Sequence, residues 1–221
     1  MVGLAFTVGG SLFALGAAVA QVGSGDAPTS ASIYLIGGVF FSTGAYGSVL
    51  QAINFPAGAD PAEVAAGEGH WRWWAYQPTR SEWLASFILF TGTVAFGISL
   101  ISAFFEGLNV EQVNRLIWAP DMTGCILFLL SGRILLVSIR NGGPWLRPRD
   151  LIWWVAALNQ IGSILFFVAG LAAFTRPLTE SVVNVDVANW GTFGGAVCFA
   201  VGGILQAFER PASAPSAARA G

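Results

Sequence analysis

Lysine is absent from the 221 residues, histidine occurs once, cysteine occurs twice, and only 10% of the residues are charged. A soluble domain carries about 25% charged residues, so the composition excludes an ordinary water-soluble fold. The lone histidine, His70, and the separated Cys125 and Cys198 supply no metal-ligand cluster and no disulfide framework. The absence of lysine excludes a retinal Schiff base, and the formal net charge of −2 argues against nucleic acid as a partner.

Catalytic motifs are missing as well. The chain has no P-loop, no Gly-x-Ser-x-Gly, no His-Glu-x-x-His and no pair of histidines for haem. We therefore expect no enzyme activity, no cofactor and no metal site.

The chain contains several long uncharged segments. The first 25 residues and residues 27–59, 83–105, 151–175 and 187–208 lack charge. A membrane-spanning helix needs about 20 mainly apolar residues, so the sequence predicts an all-α, polytopic membrane protein. The six predicted helices cover residues 4–22, 32–54, 83–105, 117–139, 151–174 and 189–208.

One motif occurs in each of these six segments. It consists of a Gly, a small residue, two variable residues, a Phe, and a further small residue three positions on. The copies begin at Gly9, Gly37, Gly92, Gly124, Gly162 and Gly195, and their aromatic residues are Phe13, Phe41, Phe96, Phe128, Phe166 and Phe199. Residues at i, i+4 and i+7 share one helix face, and small residues let helices approach closely in lipid. The motif therefore predicts the packing face of every helix; a stack of six Phe that binds an aromatic cofactor is the alternative.

The spacing of the segments predicts three hairpins, residues 1–54, 78–140 and 148–208, in one membrane domain of residues 1–208. An aromatic-rich interfacial loop, 55–77, joins the first two hairpins, and a disordered tail, 209–221, follows the third. Seven arginines lie on the side of both termini, whereas the other side has only Arg115 and Arg176. Positive charge accumulates in cytoplasmic loops, so we expect cytoplasmic termini, parallel hairpin repeats and a multi-pass location in the bacterial plasma (inner) membrane.

The motif and its hairpin repetition resemble the YrhK-like family of bacterial membrane proteins. The resemblance rests on residues 36–46 running into 50–54, and on residues 159–163 and 191–195, which read IGGVFFSTGAY, LQAIN, NQIGS and GTFGG. It covers nearly all of the membrane part and is best over 78–208. It supports the helical membrane architecture and implies no catalytic residue.

Asp121 is one of two ionisable residues within the predicted spans. It lies about 20° from the packing stripe, and Tyr34 and Thr192 occupy the equivalent positions of two other helices. These three side chains would form a polar layer that binds a ligand or handles protons. The simpler interpretation is that Asp121 follows Pro120 in the first helical turn and caps the helix N-terminus.

Arg133, the other ionisable residue, lies roughly 150° from the stripe. It can extend to the lipid headgroups, pair with Glu82, or contact an anionic lipid or substrate. Asn159 and its neighbour Gln160 are ordinary candidates for hydrogen bonds between helices.

Three functions are consistent with the sequence. The first, which the sequence favours, is a non-enzymatic helical bundle that binds membrane lipids, a second copy of itself or a partner membrane protein. The second is a small transporter or channel with Asp121 in its polar layer. The third is a lipid-modifying enzyme, for which only Asp121 and the interface residues Glu82, Glu106 and Asp150 could supply acid and base.

Overall fold

A computed structural model describes residues 1–23, 27–55, 71–140, 144 and 146–208. Six long helices dominate it: α1 (Val2–Val22), α2 (Ala27–Asn54), α3 (Ser81–Ser102), α4 (Val110–Arg140), α5 (Leu151–Ala172) and α6 (Val185–Phe208). All six are long and apolar enough to cross a membrane. The prediction of an all-α protein with six such helices is confirmed. The predicted tail, 209–221, and most of the loop 55–77 lie outside the described residues.

Helix α4 differs most from its prediction, because it begins at Val110 rather than at residue 117. Asn109 caps this earlier start in a reciprocal hydrogen-bonded pair with Gln112. Residues Asn114–Trp118 form a turn of π-helix before α-helix resumes at Ala119. Pro120 lacks an N–H and its ring crowds the carbonyl four residues back, and the wider turn accommodates it within a continuous helix. Position 121 is therefore interior to α4.

The helices form a closed ring in chain order, and α6 packs against α1 to complete it. Small residues bring these two helices together, since a Cβ built on Gly10 would lie 2.8 Å from the carbonyl oxygen of Ala196. We call one end of the ring the terminal end; it holds the start of α1 and the ends of α2, α4 and α6. The opposite end, with the connections α1–α2, α3–α4 and α5–α6, is the turn end.

The motif residues pair reciprocally within each of these three connected helix pairs. A Cβ on Gly92 would lie 2.7 Å from the ring of Phe128, and Gly124 faces Phe96 in the same way. Ring contacts of the same kind join Gly37 to Phe13, Gly162 to Phe199 and Gly195 to Phe166, whereas Gly9 meets the backbone of Phe41, whose N lies 2.8 Å from the Cβ position. Five of the six glycines thus leave the space that a ring on the neighbouring helix fills, and the sixth lets two backbones approach closely, as expected for packing in lipid.

The six motif rings meet in the middle of the ring of helices. Phe41 stacks on Phe128 with centroids 5.7 Å apart, although α2 and α4 are not neighbours in the ring. Phe41 also contacts Phe199 at 5.1 Å, and Phe13 contacts Phe166 at 6.4 Å. These contacts across the centre make a continuous aromatic plug, which we call the Phe layer: Phe13, Phe41, Phe96, Phe128, Phe166 and Phe199.

Candidate functional site

Two cavities lie on opposite sides of the Phe layer. The turn-end cavity has a volume of about 240 Å³ and the terminal-end cavity about 220 Å³. Each is lined by residues of all six helices, which places both at the centre of the ring. Phe13, Phe96 and Phe166 face the turn-end cavity, whereas Phe128 and Phe199 face the terminal-end cavity. The Phe layer is thus the partition between them.

The turn-end cavity brings together the polar residues that the sequence placed in one layer. Tyr34, Asp121 and Thr192 all line it, and Ser99 and Asn189 add two further polar side chains. The three predicted residues come from α2, α4 and α6. These three side chains line one cavity, which matches the single polar layer expected from their equivalent positions in the helices.

Asp121 lies next to α5. Its Oδ2 atom is 3.5 Å from the position that a Cβ on Gly170 would occupy. Among the described residues, no hydrogen bond or ion pair reaches its carboxylate, including any from the backbone of its own helix. The cap interpretation of Asp121 is wrong, because α4 starts at Val110 and Asn109 provides the cap. An uncompensated carboxylate in a partly buried site is costly, and it is a strong attractor for a cation.

The rim of the turn-end cavity is held by hydrogen bonds between helices. Asn189 donates to Gln21, and Gln21 donates to Asp186 at 2.8 Å. The Nε1–H of Trp118 donates to the carbonyl oxygen of Gly170 at 2.8 Å. Asn114, in the π-helical turn, both donates to and accepts from the backbone of Thr175. These bonds fix the mouth of the cavity across α1, α4, α5 and α6.

The terminal-end cavity also contains polar side chains, although the sequence did not predict a cavity there. Its polar lining consists of Ser48, Gln51, Glu82, Ser86, Ser131, Asn159, Ser163 and Gln206. Glu82 forms an ion pair with Arg80 at 3.4 Å, and both side chains are partly exposed. Asn159 projects toward α6, where a Cβ on Gly202 would lie 2.9 Å from its Oδ1 atom.

Four of the hydroxyl groups that line the two cavities donate their protons to backbone carbonyl groups. Ser48, Ser131 and Ser163 each donate to a backbone carbonyl, at 3.1, 2.7 and 2.8 Å respectively. Thr192 does the same in the turn-end cavity, at 2.8 Å. A hydroxyl has one donor and two acceptor positions, so these oxygens offer only lone pairs to a ligand. With Asp121 and Glu82 they make both linings rich in acceptors, which suits cations better than anions.

The remaining sequence candidates lie elsewhere. Arg133 is exposed on the outer side of α4 and lines neither cavity. The motif glycines serve helix contacts rather than a ligand site. The serines of the terminal-end cavity were missed because serine is common in membrane helices. Ser131 and Ser163 are nevertheless motif positions, at the +3 and −3 places relative to the motif Phe.

Within the described residues, no group of three or more His, Cys, Asp or Glu is arranged to hold a metal ion. Fold and cavities together define a multi-pass helical membrane protein with a central aromatic partition. No family model, no curated protein and no solved structure matches the chain. The resemblance to the YrhK-like family therefore stays a prediction.

Proposed function

We propose that this protein moves small cations across the plasma membrane through the centre of its helical ring, and that the Phe layer is the gate. One observation carries the proposal: two cavities, each lined by all six helices and each containing polar side chains, are separated by that layer. A bundle that served packing alone would fill its centre along its whole length. Hydrophobic constrictions that close a path by excluding water are a known gating device.

The preference for cations follows from the acceptor-rich linings. The charged groups that line the cavities are the carboxylates Asp121 and Glu82. The guanidinium of Arg80 is engaged by Glu82 and by the carbonyl of Ala52, so it does not offer a free positive charge. Ionisable residues inside a membrane bundle are costly, and those that face a central cavity mark substrate or ion paths. Asp121 is accordingly the residue on which we expect cation binding to depend.

The orientation belongs to the same proposal. Both termini and the aromatic segment before α3 are cytoplasmic, and the turn end is external, because arginine is concentrated at the terminal end. The three helix pairs descend from one repeated hairpin; the reciprocal Gly–Phe contacts in all three support this. The YrhK-like resemblance is consistent with such a membrane bundle and adds no activity.

The function is tested by removing the charge of Asp121. Purified protein in lipid vesicles should support uptake of rubidium or of small ammonium ions, and Asp121→Asn should reduce the uptake at least tenfold while the thermal stability in detergent stays the same. Glu106→Gln is the control for the loss of a turn-end acid outside the cavity lining, where Glu106 is exposed, and it should lower the uptake far less than Asp121→Asn does. Equal uptake by wild type and Asp121→Asn would exclude Asp121 as the cation site.

A second candidate function is binding of membrane lipids or of a partner at the terminal end. The side chains of Trp71, Trp73, Trp74 and Tyr76 are exposed there. The side chain of Asn54 donates to the carbonyl oxygen of Arg72 and accepts from its N–H, both at 2.9 Å. The hydroxyl of Tyr46 donates to the carbonyl oxygen of Trp73. An anchored set of exposed indole rings suits the headgroup level of a bilayer. If neither rubidium nor small ammonium ions enter vesicles that contain the protein, lipid or partner binding is favoured over cation transport.

The orientation has its own test. Cysteines introduced at Ala66 and Ser216 should resist a membrane-impermeant thiol reagent in intact cells, whereas one at Ala27 should react. Wild type measures the background from Cys125, which is buried, and Cys198, which is half-buried. Labelling at Ala66 and Ser216 in intact cells would place the terminal end outside.

A further inference from the structure

Aromatic rings from five helices line the turn-end cavity, and the binding of simple inorganic ions does not need such rings. Five helices each contribute aromatic residues to its lining: Phe13, Tyr34, Phe96, Trp118 and Phe166. Asp121 is the one carboxylate among its lining residues. Aromatic faces attract cations through their quadrupoles, and cages of such rings are the usual recognition site for quaternary ammonium groups.

From this juxtaposition we propose that the turn-end cavity binds organic ammonium cations, with Asp121 as counter-charge and the aromatic side chains as the cage. This inference rests on the proposed cation transport and names its substrate class. The walls that are not aromatic are mostly apolar, and include Leu100, Ile117, Ala169 and Ala188. A cation that carries methyl or ethyl groups matches such walls, whereas a hydrated inorganic ion does not.

The set of oxygen ligands is too sparse for a dehydrated metal ion. Calcium takes six to eight oxygen ligands, often from several carboxylates. The cavity offers one carboxylate and a few neutral oxygens, among them those of Thr192, Ser99 and Tyr34. An organic ammonium ion needs far fewer oxygen contacts because its charge is spread over several carbon atoms.

The size of the cavity sets the size of the ligand. Its volume of about 240 Å³ lies below the range of about 300–1,000 Å³ typical of sites for drug-sized molecules. A tetraalkylammonium head or a choline-sized cation is therefore the right class. The floor is the Phe layer, so a bound cation would rest on Phe13, Phe96 and Phe166 until the layer opens.

Two of the cage side chains are held in place before any ligand arrives. The ring of Trp118 contacts Phe174 at 4.9 Å, and its Nε1–H is bonded to Gly170. The ring of Tyr34 lies on Gly16, where a Cβ would be 3.0 Å away, and contacts Phe13 at 5.5 Å. Preorganised side chains lose little entropy on binding, which favours a specific site over an adaptable apolar cleft.

The entrance carries an excess of negative charge. Four acidic residues, Glu106, Glu111, Glu180 and Asp186, lie on the described turn-end segments beside two arginines, Arg115 and Arg176. Asp186 is connected to the cavity rim through Gln21 and Asn189. An acidic mouth raises the local concentration of cations and repels anions.

The test compares choline with 3,3-dimethylbutanol, which has the same shape and no charge, by calorimetric titration of the purified protein. We expect choline to bind at least tenfold more tightly than the alcohol. Asp121→Asn should remove at least tenfold of the choline affinity, and Trp118→Leu about fivefold, whereas Trp118→Phe should keep most of it. Trp190→Leu, which removes an exposed ring outside the cavity, should bind like wild type. Thermal unfolding of each variant identifies any loss that is due to misfolding.

The outcomes separate this inference from the proposed function. Equal affinity for choline and the alcohol, or unchanged affinity in both Asp121→Asn and Trp118→Leu, would overturn the ammonium site. Rubidium uptake by vesicles without choline binding would leave cation transport standing and refute the ammonium class. Absence of both would refute the two proposals together.

Discussion

Replacing Gly162 with leucine is expected to destabilise the bundle by about 3 kcal/mol, the upper part of the range for overpacked cores. A Cβ at this position would already lie 2.9 Å from the carbonyl oxygen of Gly195 and from the ring of Phe199. The first neighbour is backbone and the second is part of the Phe layer, so neither can yield without moving a helix. Thermal unfolding in detergent should show the loss.

Gly97→Leu is the matched control for this substitution. Gly97 is also in the interior of a long helix, but apart from its own helix backbone and its chain neighbours no atom lies within 4 Å of the position of its Cβ. Leucine has a higher helix propensity than glycine, so this variant should be as stable as wild type or slightly more so. An equal loss of stability in Gly162→Leu and Gly97→Leu would mean that the damage comes from the new side chain itself rather than from the motif contact.

The packing face was readable from the sequence because it depends on local periodicity. Gly124 and Phe128 are four residues apart and must share a face, and in the structure this face meets Gly92 and Phe96 of α3. Six copies of one spacing leave little freedom in how each helix is rotated. The closed ring, by contrast, depends on α1 meeting α6, two helices at opposite ends of the sequence, and no local pattern encodes that contact.

The start of α4 shows where local reading failed. Pro120 followed by Asp121 is typical of a helix N-terminus, which is why Asp121 could be interpreted as a cap; the predicted start at residue 117 followed the apolar segment, which begins after Arg115. The true start depends on Asn109 and Gln112, which form a capping box in a segment whose Glu111 and Arg115 looked like part of a loop. The π-helical turn that lets Pro120 sit inside the helix has no signature in the sequence.

The layer of Tyr34, Asp121 and Thr192 was predictable, whereas the cavity around it was not. Equivalent positions in repeated helices must lie at one depth, so these three residues had to be near one another. Whether the space between them is filled depends on side chains far apart in sequence, such as Ser99, Trp118 and Asn189. The terminal-end cavity was missed for the same reason, because Ser131 and Ser163 are informative only once their hydroxyl protons are seen to be taken by Ala85 and Asn159.

The second large effect is expected when the Phe layer is opened. Phe41 is 4% exposed and contacts the rings of Phe6, Phe13, Phe128 and Phe199 at 5.0 to 6.1 Å. Phe41→Ala should cost about 3–5 kcal/mol of stability. It should also join the two cavities, because a missing ring leaves room for water where the layer now excludes it.

Leakage of cations through vesicles that contain Phe41→Ala should therefore rise well above that of wild type, and Phe41→Leu, which stays apolar and nearly as bulky, should leak far less. The neighbouring residue provides the control, since Phe40 is 42% exposed on the outer face of α2 and lines neither central cavity. Phe40→Ala removes the same number of atoms and should leave the path closed. If Phe41→Ala folds and yet leaks no more than Phe40→Ala, the Phe layer is not the barrier between the two cavities, and the centre of the ring is not the route that cations take.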